Sequence, residues 1–446
     1  MAVTYKTPGV YVQEIPTLPP AVAEVSTAIP AFIGCTANGP TPDADGKIVP
    51  IVKRLTSRFD YEPSFGAANP SAFTVKSNAD KTLVDEITRE DPSYEYLLYN
   101  SMSFYSRNGG GPFYIISIGN YDAPPGKSQF ESGLAALEKE DEPTLILLTD
   151  ALNLAAADYY SLCQQALAQC AKLGDRFVIL DVPDGNVADF RTNIGMANLK
   201  YGAAYYPYLQ TSLVYQYDAA NVKIDGTTDT LASIESNNTG LYNQIKTGLS
   251  QQRVIMPPSP AIAGIYARVD GTRGVWKTPA NESVLEVISP LTKITNEEQD
   301  NLNIDPTAGK SINAIRSFTG KGTLVWGSRT LAGNDNEWRY VSVRRLFNMI
   351  EESAQKATAF AVFEPNDPST WLKVKAMLQS FLFGLWQQGA LVGPTQDAAF
   401  FVNVGLGKTM TPQDVLEGRL IVEIGAAAVR PAEFIILKFS HQMQQA

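Results

Sequence analysis

Between about residues 95 and 209 the sequence alternates short, unbroken apolar runs with segments of helical period, and this alternation constrains the fold more than any other feature. "YEYLLYNSMSFYSRNGGG" (94–111) carries aromatic and aliphatic residues at helical spacing and stops at three glycines, as a helix does before a sharp turn into a strand. The run "PFYIISIG" (112–119) follows as a strand. Then come a helix ("FESGLAALEKE"), a strand ("TLILLTD"), a helix closed by Gly174, a strand ("RFVILDVP"), a helix over "VADFRTNIGMANL" (187–199) and a strand ("GAAYYPYL"). Continuous apolar strands separated by helices belong to a mainly parallel sheet covered on both faces. An earlier run, "AIPAFIGCTANGP" (28–40), reads as one more buried strand ending in a turn. The middle of the chain is therefore an α/β domain.

The flanks differ. Residues 40–92 are polar, loop-rich and broken by proline and glycine, with "PIVKRLTSRFDYEPSFG" (50–66) the most structured part. Residues 214–252 lose the alternation and read as an exposed excursion. The last third is α+β. "RYVSVRRLFNMIEESAQKA" (339–357) places Val343, Leu346, Phe347, Ile350, Ala354 and Ala357 on one helical stripe. A second helix starts with Asp367 as N-cap and Pro368 in its first position and ends at Gly389. Its stripe is Trp371, Val374, Leu378, Phe381, Leu382 and Leu385; Leu372 and Phe383 flank it, so little of this helix is suited to water. Core or interface would both satisfy that composition.

Both ends of the chain carry strands that look detachable. "TPGVYVQEI" (7–15) alternates Val10 and Val12 with Tyr11 and Gln13, and prolines at 8, 16, 19 and 20 fence it off. About 12 extended residues reach ~40 Å, and "PTLPP" is a semi-rigid spacer. "RPAEFIILKF" (430–439) is a strand introduced by a proline, with Phe434, Ile436 and Phe439 along it.

Chemistry finds little purchase. The single histidine, His441, leaves no base for Ser-His-Asp or Cys-His catalysis and few zinc sites. "GLGKT" (405–409) lacks the first glycine of a phosphate loop, since Val402 stands there, and reads as a turn between strands. "NGGG" (108–111) reads as a tight bend. The best enzymatic candidate is acidic: Asp150 and Asp181 end consecutive strands, Asp184 lies just beyond, and together they are candidates to hold a magnesium ion. The competing reading is that these aspartates cap helices or fill turns. A net charge of −10 over 446 residues disfavours nucleic acid as a partner, and three cysteines, Cys35, Cys163 and Cys170, read as buried reduced thiols of a reducing cytoplasm. The N-terminus lacks the regions of a signal peptide, and apolar runs such as "FLFGLW" are far too short to span a bilayer. Neither Sec export nor membrane insertion is expected.

Six stretches together resemble the contractile tail sheath proteins of bacteriophages and of related systems such as R-type pyocins and extracellular contractile particles. They are "TPGVYVQEI" (7–15), "FYSRNGGGPFYIISIG" (104–119), "GAAYYPYL" (202–209), "PPSPAIAGIYARVDGTRGVWKTPAN" (257–281), "INAIRSFTGKGTLVWGSRTLAGNDNEWRYVSVRRL" (312–346) and "EGRLIVEIGAAAVRPAEFIILKF" (417–439). The resemblance implies a mixed α/β and α+β fold: a central α/β domain with a mainly parallel sheet, plus an α+β core domain built from the C-terminal third and both terminal strand arms. The expected boundaries are an arm at 1–20, an outer region at 21–285 (β-rich and looped over 21–95, α/β over 96–285), a core domain at 286–432 and an arm at 433–446. The polar stretches at 40–92 and 214–252 fit surface decoration.

It implies, further, a structural protein rather than an enzyme, with no cofactor. Its subunits assemble as stacked hexameric rings into a helical contractile tube around an inner tail tube. The arms add strands to neighbouring copies, with Val10, Tyr11, Val12, Phe434, Ile436 and Phe439 as inter-subunit residues. Implied partners are other copies, the inner tail tube, the baseplate and terminator or cap proteins, assembled in the bacterial cytoplasm. Lys373 and Lys375 are candidate contacts to an acidic tube surface, although a snorkelling core lysine explains Lys375 equally. Arg344 and Arg345 read as a solvated helix face or as contacts, and Trp276, Trp326 and Trp338 as core residues or interface anchors. The alternative function is a metal-dependent α/β enzyme using Asp150, Asp181 and Asp184.

Overall fold

Adjacent residues of the apolar runs enter two different core layers, as the period of a strand requires. In the computed structural model, which describes residues 22–434 and 436, Phe32, Ile115, Ile179 and Tyr205 lie in one layer, and Ile33, Ile116, Val178 and Ala204 in the other. The strands are β1 (Pro30–Gly34), β2 (Ile51–Leu55), β3 (Phe73–Ser77), β4 (Val84–Arg89), β5 (Phe113–Ser117), β6 (Leu145–Leu147), β7 (Phe177–Asp181), β8 (Gly202–Tyr206) and β9 (Leu209–Val214). They continue with β10 (Val222–Ile224), β11 (Arg253–Met256), β12 (Glu282–Ser283), β13 (Val287–Pro290), β14 (Ile312–Phe318), β15 (Gly322–Val325), β16 (Phe400–Val404) and β17 (Val422–Ala426). The helices are α1 (Tyr61–Phe65), α2 (Leu98–Arg107), α3 (Lys127–Leu137), α4 (Ala156–Leu173), α5 (Val187–Asn193), α6 (Leu231–Ile234) and α7 (Thr239–Gln251). After them come α8 (Ser259–Arg273), α9 (Asn296–Asn303), α10 (Val341–Thr358), α11 (Pro368–Gln387), α12 (Gln396–Ala399) and α13 (Pro412–Leu416).

Among the described residues the large sheet has the order β12-β15-β14-β8-β7-β6-β1-β5-β2. It is parallel from β14 to β5 and antiparallel at its edges, where β15 and β12 extend one side and β2 the other. Phe130, Leu134, Leu162, Cys163 and Leu167 of α3 and α4 cover one face. Leu98, Met102 and Phe104 of α2 with Ile262, Ile265 and Tyr266 of α8 cover the other. α2 and α8 approach closely at Gly264, where a β-carbon would stand 2.5 Å from the Tyr105 carbonyl oxygen. α4 ends at Gly174 in the left-handed conformation, with φ of 77°.

Strand pairing carries the sheet well past residue 285. β14 and β15, which the sequence reading assigned to the C-terminal core domain, are hydrogen-bonded to β8 and to each other. Residues 25–351 and 430–434 form one compact unit, and 352–429 the core of a second, with the division inside α10. The two polar stretches are also more ordered than their composition indicates. β2 pairs with β5, while β3, β4 and β10 form a separate sheet backed by α6 and α7. Phe73, Val75, Val222, Ile224, Leu231, Leu241, Ile245 and Leu249 give this module its own core. The helix expected over 187–199 stops at Asn193, because Gly195 and Asn198 take left-handed conformations.

In the second unit α11 packs on β16, with Val374, Leu378, Phe381, Leu382 and Leu385 buried. Asp367 caps α11 by accepting the Thr370 N–H at 2.9 Å, with Pro368 in the first turn. β16 and β17 form a two-stranded antiparallel sheet.

Candidate functional site

The acidic candidate dissolves into helix capping. Asp150 is completely buried, and its Oδ2 accepts the Cys35 N–H at 3.0 Å while Oδ1 accepts the Leu97 N–H at 2.8 Å, at the entrance to α2. A β-carbon on Gly34 would collide with the same carboxylate. Asp181 accepts the amide of Ser259 at 2.8 Å and its hydroxyl at 2.5 Å, which caps α8. Asp181, the last residue of β7, and Asp150, in the 3-10 turn after β6, thus each supply the acceptor that a helix N-terminus lacks. Burial pushes both carboxyls up to about 7, against the opposing pull of these hydrogen bonds. Asp184 is exposed, with φ of 50°. Among the described residues no group of His, Cys, Asp and Glu is placed to hold a metal ion.

The other motifs resolve in the same way. Thr409 of "GLGKT" accepts the Gly405 N–H and donates to the Ile421 carbonyl, inside the turn that follows β16. Asn108 turns the chain after α2 and pairs through its side chain with the backbone of Leu285. Cys35, Cys163 and Cys170 are buried free thiols, raised by burial.

The residues that stand out physically are three arginines, Arg344, Arg345 and Arg329, the last two of which hold Thr27 and Glu433. Arg344 and Arg345 form no solvated helix face, since their side chains are 2% and 3% exposed. Arg344 stacks 4.2 Å from the Trp338 ring and donates to Asn348 at 2.7 Å, and Trp338 meets Phe347 edge-on. Arg345 donates two N–H groups to Asp270 and one to the Thr27 carbonyl at 2.8 Å, while lying 4.4 Å over the Tyr266 ring. The Thr27 hydroxyl donates to Asp270 in turn. At the other end Arg329 grips Glu433 in bidentate fashion, Nε–H to Oε1 at 2.9 Å and Nη2–H to Oε2 at 2.6 Å. Asn303 and the Tyr340 hydroxyl donate to the same carboxylate at 2.8 and 3.2 Å. Burial alone would raise the Glu433 carboxyl; the hydrogen bonds from Arg329 and Asn303 outweigh it and hold the group below its ordinary value. Sequence reasoning singled out Arg344 and Arg345 but missed Arg329 and the partners Asp270 and Glu433, because ion pairs 75 and 104 residues apart leave no local pattern. The one available signal was a lone charge in an otherwise uncharged run, as with Arg329 in "VWGSRTL".

Of the residues proposed for contacts between subunits, Phe434 and Ile436 are 67% and 79% exposed. Val10, Tyr11, Val12 and Phe439 lie outside the described residues, as does His441. Lys373 is exposed and Lys375 half-buried, and Leu372 beside them is 69% exposed. Trp276 and Trp338 are half-buried, whereas Trp326 is 37% exposed.

Residues 125–331 match the model of the phage tail sheath protein central domain, and 333–442 that of the phage tail sheath C-terminal domain. The chain is 30% identical to one in the helical sheath of the anti-feeding prophage (AFP) in its contracted state, over 98% of this chain and 100% of that one, with a TM-score of 0.69. A chain of the PVC sheath complex, an extracellular contractile injection system in its contracted state, is 30% identical over 99% of both chains, with a TM-score of 0.67. The tail sheath protein of Enterobacteria phage T4 is 25% identical over 158 residues, which are 35% of this chain and 23% of that protein. The matched stretch thus spans about a quarter of that curated relative. These relatives are structural sheath proteins, not enzymes. The chain belongs to the phage tail sheath family and is a structural protein of contractile tails and tail-like particles.

Proposed function

We propose that the chain is the repeating subunit of a contractile sheath, which stacks as hexameric rings into a helical tube around an inner tail tube and shortens to drive that tube through a target cell envelope. Copies are joined by strand addition: the terminal segments, through Val10, Tyr11, Val12, Phe434, Ile436 and Phe439, leave their own subunit and extend sheets in others. The β16–β17 hairpin carries this reading. This sheet packs on α11 yet has two strands, and among the described residues no third strand pairs with either one. A free edge is an aggregation hazard in a lone subunit and a joint in a polymer.

The extended lattice is metastable and the shortened one more stable, so the work is stored at assembly and released when a baseplate triggers it. Residues of the C-terminal third line the inner wall, with Lys373 and Lys375 toward the tube. A terminator closes the far end, and assembly takes place in the bacterial cytoplasm. The test compares the full-length chain with one lacking residues 1–15, co-expressed with a tube protein and viewed by negative-stain microscopy and sedimentation. Rods from the full-length chain alone, with the truncated one folded but small, are expected; rods from both would sink the strand-addition reading.

A further inference from the structure

We propose that Arg329, together with the Asp270–Arg345 pair, anchors the two terminal segments, fixing the points and directions at which they leave the subunit. This inference rests on the strand-addition reading and adds the residues that make such a link directional. At the C-terminal side the chain is held at Glu433, and Phe434 and Ile436 beyond it are exposed. At the N-terminal side Ala23, Glu24 and Ser26 are exposed, Thr27 is held by Arg345 and Asp270, and Ile29 is buried. Each held residue thus stands beside exposed ones, Ser26 before Thr27 and Phe434 after Glu433.

The two clamps have the same parts. Each has an arginine whose side chain is under 5% exposed, a carboxylate gripped by two of its N–H groups, and one partner contributed by the departing segment. Nη1 of Arg329 faces the carbonyls of Asn303 and Gly333, so a second pose of the guanidinium would forfeit some of these partners. Asn303 and Tyr340 do the same for Glu433. A buried ion pair is a poor source of net stability compared with apolar residues of similar volume, and its best-attested use is to select one geometry. Tension on a segment that has joined another copy therefore ends at Glu433 or Thr27 rather than peeling chain from the sheet.

The decisive variant replaces the C-terminal clamp by apolar residues: Arg329→Met with Glu433→Leu in the full-length chain, co-expressed with a tube protein beside the unaltered chain. A purely structural clamp is replaceable in this way, so folding and assembly would both survive. An anchor is not: the double variant should melt close to the unaltered chain yet yield roughly tenfold fewer sedimentable rods, or rods of irregular width, because the tethered strand is presented at a lower effective concentration. Arg329→Lys, which keeps the charge but loses the bidentate fork, should fall between the two. Regular rods at unaltered yield from the double variant would overturn the anchor. Failure of the unaltered chain itself to form rods would instead overturn the strand-addition reading beneath it. If the double variant does not fold, Glu433→Gln keeps the size and several hydrogen bonds, and regular rods at full yield from it would also count against the anchor.

Discussion

Asp181 accepts both hydrogens that Ser259 offers, from a strand end to a helix start 78 residues later. Removing the carboxylate in Asp181→Ala leaves buried donors without a partner and should cost about 1–3 kcal/mol, measured by denaturant unfolding of the full chain. The charge carries a second consequence. Asp150 and Asp181 rise from an ordinary 3.8 to about 7, so between those values the folded chain binds more protons than the unfolded one. Stability should therefore fall as pH rises from about 4 to about 7, and Asn at either position should flatten that slope. Glu433 runs the other way: its carboxyl is held low, so its clamp persists at neutral pH and is lost on acidification. The position of Asp181 at a strand end was legible in the sequence, whereas Asp150 lies in the 3-10 turn past β6, and the partners of both were not legible, since a cap so distant in sequence has no spacing to read. Lys373 is a different case: its charge reverses at no internal cost because it is exposed. Lys373→Glu should leave stability within about 0.5 kcal/mol while weakening co-sedimentation with the tube, and adding Lys375→Glu at its half-buried position should abolish it. Unchanged co-sedimentation would remove this helix from the tube contact.

At the scale of elements, the strands that read most clearly are those buried on both faces. β5 and β7 have every residue buried and were legible as unbroken apolar runs. β3 and β4 were not, because a small sheet with one face in water needs only alternate apolar residues, and "FTVKS" and "VDEITR" carry lysine and acidic residues between them. α10 shows the limit of the stripe argument: its first three turns are buried almost all round, arginines included, so the apolar stripe marked only part of the contact. The contact of α2 with α8 depends on a missing side chain. Gly264→Ala should cost about 1–3 kcal/mol through overpacking against the Tyr105 carbonyl and Asn108, although alanine is otherwise the better helix former. Thermal melting decides it, and a gain in stability would show that α8 has room to move.

For the whole molecule, the α/β character of the middle was visible in the period of the apolar pattern, as were helices and strands in the last third. The boundary between units was not, because β14 and β15 join the large sheet through pairing with β8, more than 100 residues earlier in the chain. What a sheath subunit requires beyond its fold is a way to be joined without closing on itself, and the proposed strand addition assigns that property to the terminal segments and the β16–β17 sheet together. The most direct measurement is a cryo-EM map of rods assembled from the full-length chain, traced through β16 and β17. The account predicts that this sheet gains strands whose chains run back to other copies, leaving them at Thr27 or Glu433. A sheet still of two strands in the assembled rod, or one completed by its own subunit's ends, would contradict it.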